Sequence, residues 1–364
     1  MESLGVNRQF WQGKRVLLTG HTGFKGSWMS LWLQTLNADV KGYALAPPTE
    51  PSLFEVADVA RNMSSVLGDV RDMVHLRRCI DEFQPEVAIH MAAQSLVRPS
   101  YADPIETYST NVMGTVNMLE AVRHCRSVKA VIIVTSDKCY ENREGTRGYR
   151  ENDAMGGFDP YSSSKGCAEL VTAAYRNSYF SDATGGPHAP AVASVRAGNV
   201  IGGGDWATDR LVPDAVKAFI DKHPVLLRNP NAIRPWQHVM EPLAGYLALA
   251  EQLWNHGNNF AEAWNFGPEE RDVRPVSWMV ERLAELWGNS ATLQTAEGGR
   301  YHEANNLKLD CSKAKTRLGW RPRLPLETGL EWTADWYRAY LEGKNMRHFT
   351  QAQIQRYAEG TVCS

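Results

Sequence analysis

The sequence predicts an α/β fold: a doubly wound parallel sheet with a smaller C-terminal α/β domain. Three observations carry this. A short apolar strand at residues 15–19 runs into a glycine-rich turn and then into a helical pattern over 23–36. Strand-like and helix-like segments keep alternating through the first half of the chain, as parallel βα units require. The length of 364 residues gives a prior of about two domains.

Each element has its own signal. Trp28, Leu31, Trp32 and Leu36 recur at helical spacing after the turn. Residues 40–45, 65–67 and 87–90 read as the next strands, and 129–135 (KAVIIVT) as a buried strand rich in β-branched residues. Another strand is expected at 191–196, after a Gly-Gly-Pro loop. Val276, Val280, Leu283 and Trp287 mark an amphipathic helix over 276–287, and 318–325 (LGWRPRLP) reads as a docking loop. Residues 263–267 (AWNFG) read as a return to the sheet. The dinucleotide-type domain is therefore expected at 1–196 and 236–268, the second domain at 197–235 and 269–350, and a polar tail at 351–364. The stretch from Asn345 reads as polar.

Composition excludes several classes. Thirty-nine basic against 41 acidic residues give a net charge of −2, which argues against a nucleic-acid binder. Six cysteines, none in a CxxC pair, read as reduced thiols and not as a disulfide framework or a metal site. Residues 1–13 lack the basic and apolar regions of a secretory signal, and no apolar run approaches the roughly 18 residues of a membrane span. A cytoplasmic protein without metal or membrane partner is expected.

Gly20, Gly23 and Gly26 form G-x-x-G-x-x-G between strand and helix, with Thr22, Phe24 and Lys25 inside the turn. Such a turn lets a phosphate approach the backbone at a helix N-terminus; it also serves plain helix packing. Lys25 precedes Gly26, so this is not an NTPase phosphate loop. The second strand ends Gly42-Tyr43-Ala44-Leu45, with neither the expected acid for ribose nor an arginine for a 2′-phosphate, which favours NAD over NADP. Asp69 and Val70, after the third strand, can contact adenine, although loop capping suits Asp69 equally well.

Tyr161 and Lys165, four apart on a helix, share one face. A tyrosine with pKa near 10 is a poor base at neutral pH, and a neighbouring ammonium favours its phenolate. Thr135-Ser136-Asp137-Lys138 ends the buried strand, where α/β sheets place ligands. Ser136 can hold a substrate oxygen beside Tyr161. Asn111 shares a face with Thr115, Met118 and Val122, so it points inward and needs hydrogen bonds.

Together the three glycines, the His90-Met-Ala-Ala-Gln94 run, Asn111, Ser136, Tyr161 and Lys165 resemble the extended short-chain dehydrogenase/reductase family, over most of the chain. The resemblance implies a Rossmann domain that binds NAD and a C-terminal domain that binds a nucleotide sugar. It implies cofactor contacts from Gly20 to Gly26, from Asp69 and Val70, from Ala92, Ala93 and Gln94, and from Tyr161 and Lys165. Family 4,6-dehydratases carry Thr-Asp-Glu at the strand end, with Asp as acid and Glu as base. Ser136-Asp137-Lys138 looks like the branch that acts on CDP-glucose, as do VRAGNVIGGGDW, RPWQHV and YHEANNLKLD. Catalytic roles are thereby expected for Ser136, Asp137, Lys138, Tyr161, Lys165 and Asn111. Lys138 acts either as a neutral base or as a charged stabiliser of an enolate.

Arg234 suits a diphosphate clamp, because guanidinium binds oxyanions bidentately. Arg210 and Arg228 are weaker candidates. Asn199, Gln94 and Tyr301 are expected at the substrate, with Ser95 and His302 near it. Trp206 and Trp236 serve either ligand stacking or core packing. The family also implies a homodimer, or a dimer of dimers, through helices at 104–126 and 161–180. A 4-epimerase, another nucleotide-sugar dehydratase and a non-catalytic NAD sensor are the competing functions.

Overall fold

The computed structural model describes residues 5–145, 147–184, 186, 188–288, 293–295 and 306–360. The chain opens with α1 (Arg8–Trp11), β1 (Arg15–Thr19), α2 (Phe24–Thr35) and β2 (Asp39–Ala44). Next come α3 (Leu53–Val56), β3 (Ser64–Leu67), α4 (Met73–Phe83) and β4 (Val87–His90). A helical run of α5 (Val97–Ala102), α6 (Pro104–Tyr108) and α7 (Gly114–Arg123) leads to β5 (Ala130–Val134), α8 (Pro160–Tyr175) and β6 (Ala191–Ala197). The second half contains β7 (Asn199–Ile201), α9 (Leu211–Asp221), β8 (Val225–Leu227), β9 (Ile233–His238), α10 (Met240–His256) and β10 (Ala263–Phe266). It closes with β11 (Val273–Pro275), α11 (Val276–Trp287), β12 (Leu293–Thr295), α12 (Ser312–Arg317), α13 (Leu326–Leu341) and α14 (Met346–Ala358).

Seven strands form one sheet in the order β10-β6-β5-β4-β1-β2-β3, parallel at every pairing. The order reverses between β1 and β4, which opens a crevice at their carboxyl ends. Both faces are covered: Val16 and Leu18 of β1 enter one apolar cluster and Leu17 the other. That explains the unbroken apolar strands, since a sheet buried on both sides shows no alternation. The return strand expected at 263–267 is β10, which pairs with β6. Smaller sheets, β11-β9-β7 and β12-β8, follow in the second half of the chain, with β9 crossing the boundary expected at 235/236.

The polar tail expected from 351 is a correction. Residues 346–358 form α14, which Asn345 caps by accepting from His348 N. Its sparse apolar residues Met346, Ile354 and Tyr357 are buried. Tyr357 meets Trp32 of α2 edge-on, with ring centroids 5.7 Å apart. Arg347 donates to Gln34 Oε1 and to Asp58 O, each at 2.6 Å. Tertiary contacts thus order a helix that hydropathy alone does not suggest.

Candidate active site

The glycine turn is built by close backbone approach. Gly20 has φ +76°, and a Cβ there would lie 2.7 Å from Ala92 N; a Cβ on Gly26 would lie 2.0 Å from Gly20 O. No side chain caps α2 at Gly23, so its first amides stay open to an anion at the positive end of the helix dipole. Thr22 Oγ1 donates to Leu45 O at 2.9 Å, tying the turn to the end of β2. Met91 N and Ala92 N donate to Thr19 Oγ1. Val70 is buried. Asp69 is engaged by Arg71, through its backbone N–H and its guanidinium. Asp69 thus caps its own loop.

Beyond the turn lies a cavity of about 1030 Å³, whose wall includes Phe24, Lys25, Ser136, Asp137, Lys138, Tyr161, Asn199, Arg210 and Arg234. β5 delivers the triplet after a fully buried run. Ser136 Oγ donates to Asp137 Oδ1 at 3.0 Å and accepts from Lys138 N at 3.2 Å. Asp137 is 2% exposed, and its Oδ2 has no hydrogen-bond partner. Burial raises its pKa, against the pull of Lys138, the Ser136 hydroxyl, Arg234 and Lys25.

α8 begins at Pro160, capped by Asp159, and presents Tyr161 and Lys165 inward. Burial pushes the Tyr161 phenol up to about 12, while Ser136 opposes the rise. Lys165 Nζ donates to Val134 O at 3.2 Å. Burial, then Lys25, brings its pKa down to about 7. Lys138 Nζ lies 5.9 Å from the centre of the Tyr161 ring. Lys25, expected at the cofactor, also faces this chemistry: burial, then Arg210, lowers it to about 8, and Asp137 and Asp205 oppose the shift.

Arg210, Arg228 and Arg234 also line the cavity. Arg210 pairs with Asp205 at 2.8 Å and reaches Ser95 Oγ at 2.9 Å. Arg228 pairs with Asp209 at 3.1 Å. Arg234 is 8% exposed and donates to Ile233 O at 3.0 Å. Trp236 lines the cavity and donates to Arg274 O. Trp206 packs edge-on against Tyr337 and Tyr340, so core packing accounts for it.

Two expected site residues turn elsewhere. Gln94 folds onto its own loop: its Nε2 donates to Leu96 O and Thr107 Oγ1, and its Oε1 accepts from Leu96 N. Asn111, in a wide helical turn, accepts from Gln94 N and donates to Gln94 O and Ser164 Oγ. It braces α8 against the Gln94 loop and does not line the cavity. Tyr301 and His302 lie outside the described residues. One buried group that sequence reasoning passed over is Glu169, the next residue on the Tyr161–Lys165 face; its spacing of four from Lys165 was the available signal. Among the described residues no His/Cys/Asp/Glu group is arranged to hold a metal, and no helix is long and apolar enough to cross a membrane.

Known proteins agree with this geometry. The GDP-mannose 4,6 dehydratase family pattern matches residues 17–333. The chain is 54% identical over 357 residues to a CDP-glucose 4,6-dehydratase of Salmonella typhimurium, covering 98% of this chain and 99% of the relative. It is 24% identical to a dTDP-glucose 4,6-dehydratase of Haemophilus influenzae, over 88% of this chain and 97% of that one. Among solved structures, a dTDP-glucose 4,6-dehydratase of Bacillus anthracis in complex with NAD superposes with a TM-score of 0.75 at 24% identity, covering 91% and 99% of the two chains. A UDP-glucose 4-epimerase of Thermotoga maritima superposes with a TM-score of 0.76 at 21% identity, covering 90% and 99%. With its turn, its strand-end triplet and its tyrosine–lysine face in these places, the chain belongs to the GDP-mannose 4,6 dehydratase family, within the extended short-chain dehydrogenases/reductases.

Proposed function

We propose that the chain is an NAD-dependent CDP-glucose 4,6-dehydratase, a hydro-lyase that forms CDP-4-dehydro-6-deoxyglucose and water. The observation that carries this is the buried carboxyl of Asp137 in the same cavity as Tyr161. Oxidation at a sugar carbon needs only a tyrosine base; elimination also needs an acid for the departing hydroxyl. The likeness to the Salmonella typhimurium enzyme supports the nucleotide.

The residues present fit a dinucleotide. The uncapped start of α2 offers amides to a diphosphate, the glycine turn leaves the backbone open, and Lys165 offers an ammonium to ribose hydroxyls. When bound, NAD supplies reversible hydride storage. Tyr161 takes the proton of the sugar 4-hydroxyl, and the Lys165 ammonium favours the resulting phenolate. Ser136 holds the 4-oxygen. Once C4 is a ketone, the C5 proton is acidic, and Asp137 gives its proton to the leaving 6-hydroxyl. Lys138 serves C5 as the neutral base that takes its proton; in the alternative it stays an ammonium beside the enolate oxygen, and Asp137, as carboxylate, takes the C5 proton and passes it to the leaving 6-hydroxyl. Arg234 and Arg210 bind the diphosphate, Arg210 by exchanging Asp205 for phosphate oxygens, with Asn199 beside them.

The test is incubation with CDP-glucose, UDP-glucose and dTDP-glucose, followed by mass detection of water loss. Loss from CDP-glucose is expected; no loss from any of the three overturns the function. Deuterium from solvent enters C5 in a dehydratase and not in a 4-epimerase. Lys138→Ala is expected to abolish water loss; turnover at the wild-type rate removes Lys138 from the mechanism.

The subunit is a homodimer in this proposal. Ile105, Met113, Leu170 and Tyr179 stand 80%, 50%, 60% and 45% exposed on the helical segments around α6, α7 and α8, an apolar face suited to a four-helix bundle. The buried thiols Cys79, Cys125, Cys139 and Cys311, all unpaired, support a cytoplasmic setting.

A further inference from the structure

Glu169 lies one helical step below Lys165 on α8 and is 5% exposed. Its Oε1 accepts from Thr135 Oγ1 at 2.5 Å. Its Oε2 accepts from Ser194 Oγ at 2.7 Å and Arg196 Nη2 at 2.8 Å. Arg196 continues the connection: its Nη1 donates to Tyr140 OH at 2.7 Å and Glu151 O at 3.0 Å. Tyr140 in turn donates to Asn265 Oδ1 at 2.7 Å.

These bonds join the end of β5, α8 and β6. Thr135 is the residue before the Ser136-Asp137-Lys138 triplet, and Tyr140 comes two residues after it. Ser194 and Arg196 sit on β6, which leads to Asn199. Glu169 itself continues the face of Tyr161 and Lys165. Neither Glu169 nor Arg196 lines the cavity, so neither is a catalytic residue. A buried ion pair is weak support for stability, because desolvation offsets the attraction; here its placement gives it another use.

We propose that Glu169, paired with Arg196, is a positioning residue for the reaction: its buried negative charge keeps Lys165 protonated, and its bond to Thr135 fixes the strand end that aims Ser136 and Asp137. The site residues whose tuning is at issue are those of the function proposed above, and the inference rests on that reading. Four charged or titratable groups act with Lys165. Lys25 from α2 opposes its charge and Glu169 on its own helix favours it, while burial holds the Cys139 thiol after β5 protonated. His90 from β4 is itself held neutral, by burial and then by Lys165. Glu169 is the one carboxylate of the set. Without it, Lys165 sheds its proton at lower pH and the Tyr161 phenolate loses its ammonium.

The test is Glu169→Gln, read in two ways. Lysine 13Cε NMR follows the titration of Lys165 directly, with the signal assigned by its loss in Lys165→Arg. It is expected to titrate about one pH unit lower in E169Q, and the alkaline limb of the kcat–pH profile is expected to move down with it. At neutral pH kcat should fall about tenfold while KM changes less than about twofold. Lys165 titrating at its wild-type midpoint overturns the proposal. If E169Q does not fold, Thr135→Val removes the strand-end bond, with the longer one from the same hydroxyl to Val195 O, and leaves the Glu169–Arg196 pair: a severalfold loss in kcat with KM unchanged is expected, and wild-type kcat overturns it. The NMR arm needs no substrate, so it separates failure of this inference from failure of wild-type protein to dehydrate any nucleotide sugar.

Discussion

Asp137 and Glu169 are two carboxyl groups buried beside the same strand end, and their surroundings drive them in opposite directions. Burial raises both. For Asp137 it prevails: one oxygen has the Ser136 hydroxyl, the other has no partner, and the nearby cations act at a distance. For Glu169 the Arg196 guanidinium and the Thr135 and Ser194 hydroxyls outweigh burial and hold the pKa below its ordinary value. The lesson is that burial alone does not assign an acid its role. The number and charge of its donors do, and the fold places the poor donor set inside the cavity and the rich one behind it.

Asp137→Asn is the largest intervention on this contrast. Water loss should slow by about 10²–10⁴-fold, measured as dehydrated product per unit time. The same variant should be more stable than wild type at neutral pH, by about 1 kcal/mol in urea melts. The sign follows from the raised pKa: the folded protein binds the proton more tightly, so Asp137 costs stability above its folded pKa and costs nothing below its unfolded value near about 4. The advantage of the variant should vanish in acid.

Glu169→Gln should do the reverse. Leaving Arg196 buried without its partner costs about 3–5 kcal/mol in the same melts. The pKa of Glu169 is depressed in the fold, so its stabilisation is complete above the unfolded value near about 4.3 and is lost as pH falls through the folded pKa. Equal pH dependence of stability in the two variants would erase the contrast. Leu170→Arg, one residue beyond Glu169 and facing outward, should have the least effect on either carboxyl. It should halve the mass in light scattering while Lys165 titrates as before, which separates the outer face of α8 from its inner one.

Much of this was legible in the chain because it is written locally. Arg15–Thr19, the three glycines and Val276–Trp287 carry their periodicity within a dozen residues, and the structure places each as expected. Tyr161 and Lys165 are four apart, and helical geometry alone aligns them. What escaped depends on partners far along the chain. Gln94 reads as a ligand contact, yet its amide finds two bonds to Leu96 in its own loop and one to Thr107 on α6. Glu169 meets Arg196 and Thr135 only after β5 and β6 pair. α14 has too few apolar residues to announce itself, and its order comes from α13 and from a helix some three hundred residues upstream.

That last contact bears on synthesis at the ribosome. α2 is buried along its middle from Gly26 to Leu33, and Tyr357, in the final turn of α14, lies against Trp32. The helix that opens the dinucleotide turn is translated more than three hundred residues before the part of its cover that Tyr357 supplies. At about 5–20 residues per second that interval is tens of seconds. Through it, Trp32 lacks its Tyr357 neighbour, and a nascent chain stalled before residue 346 presents that flank of α2 to chaperones.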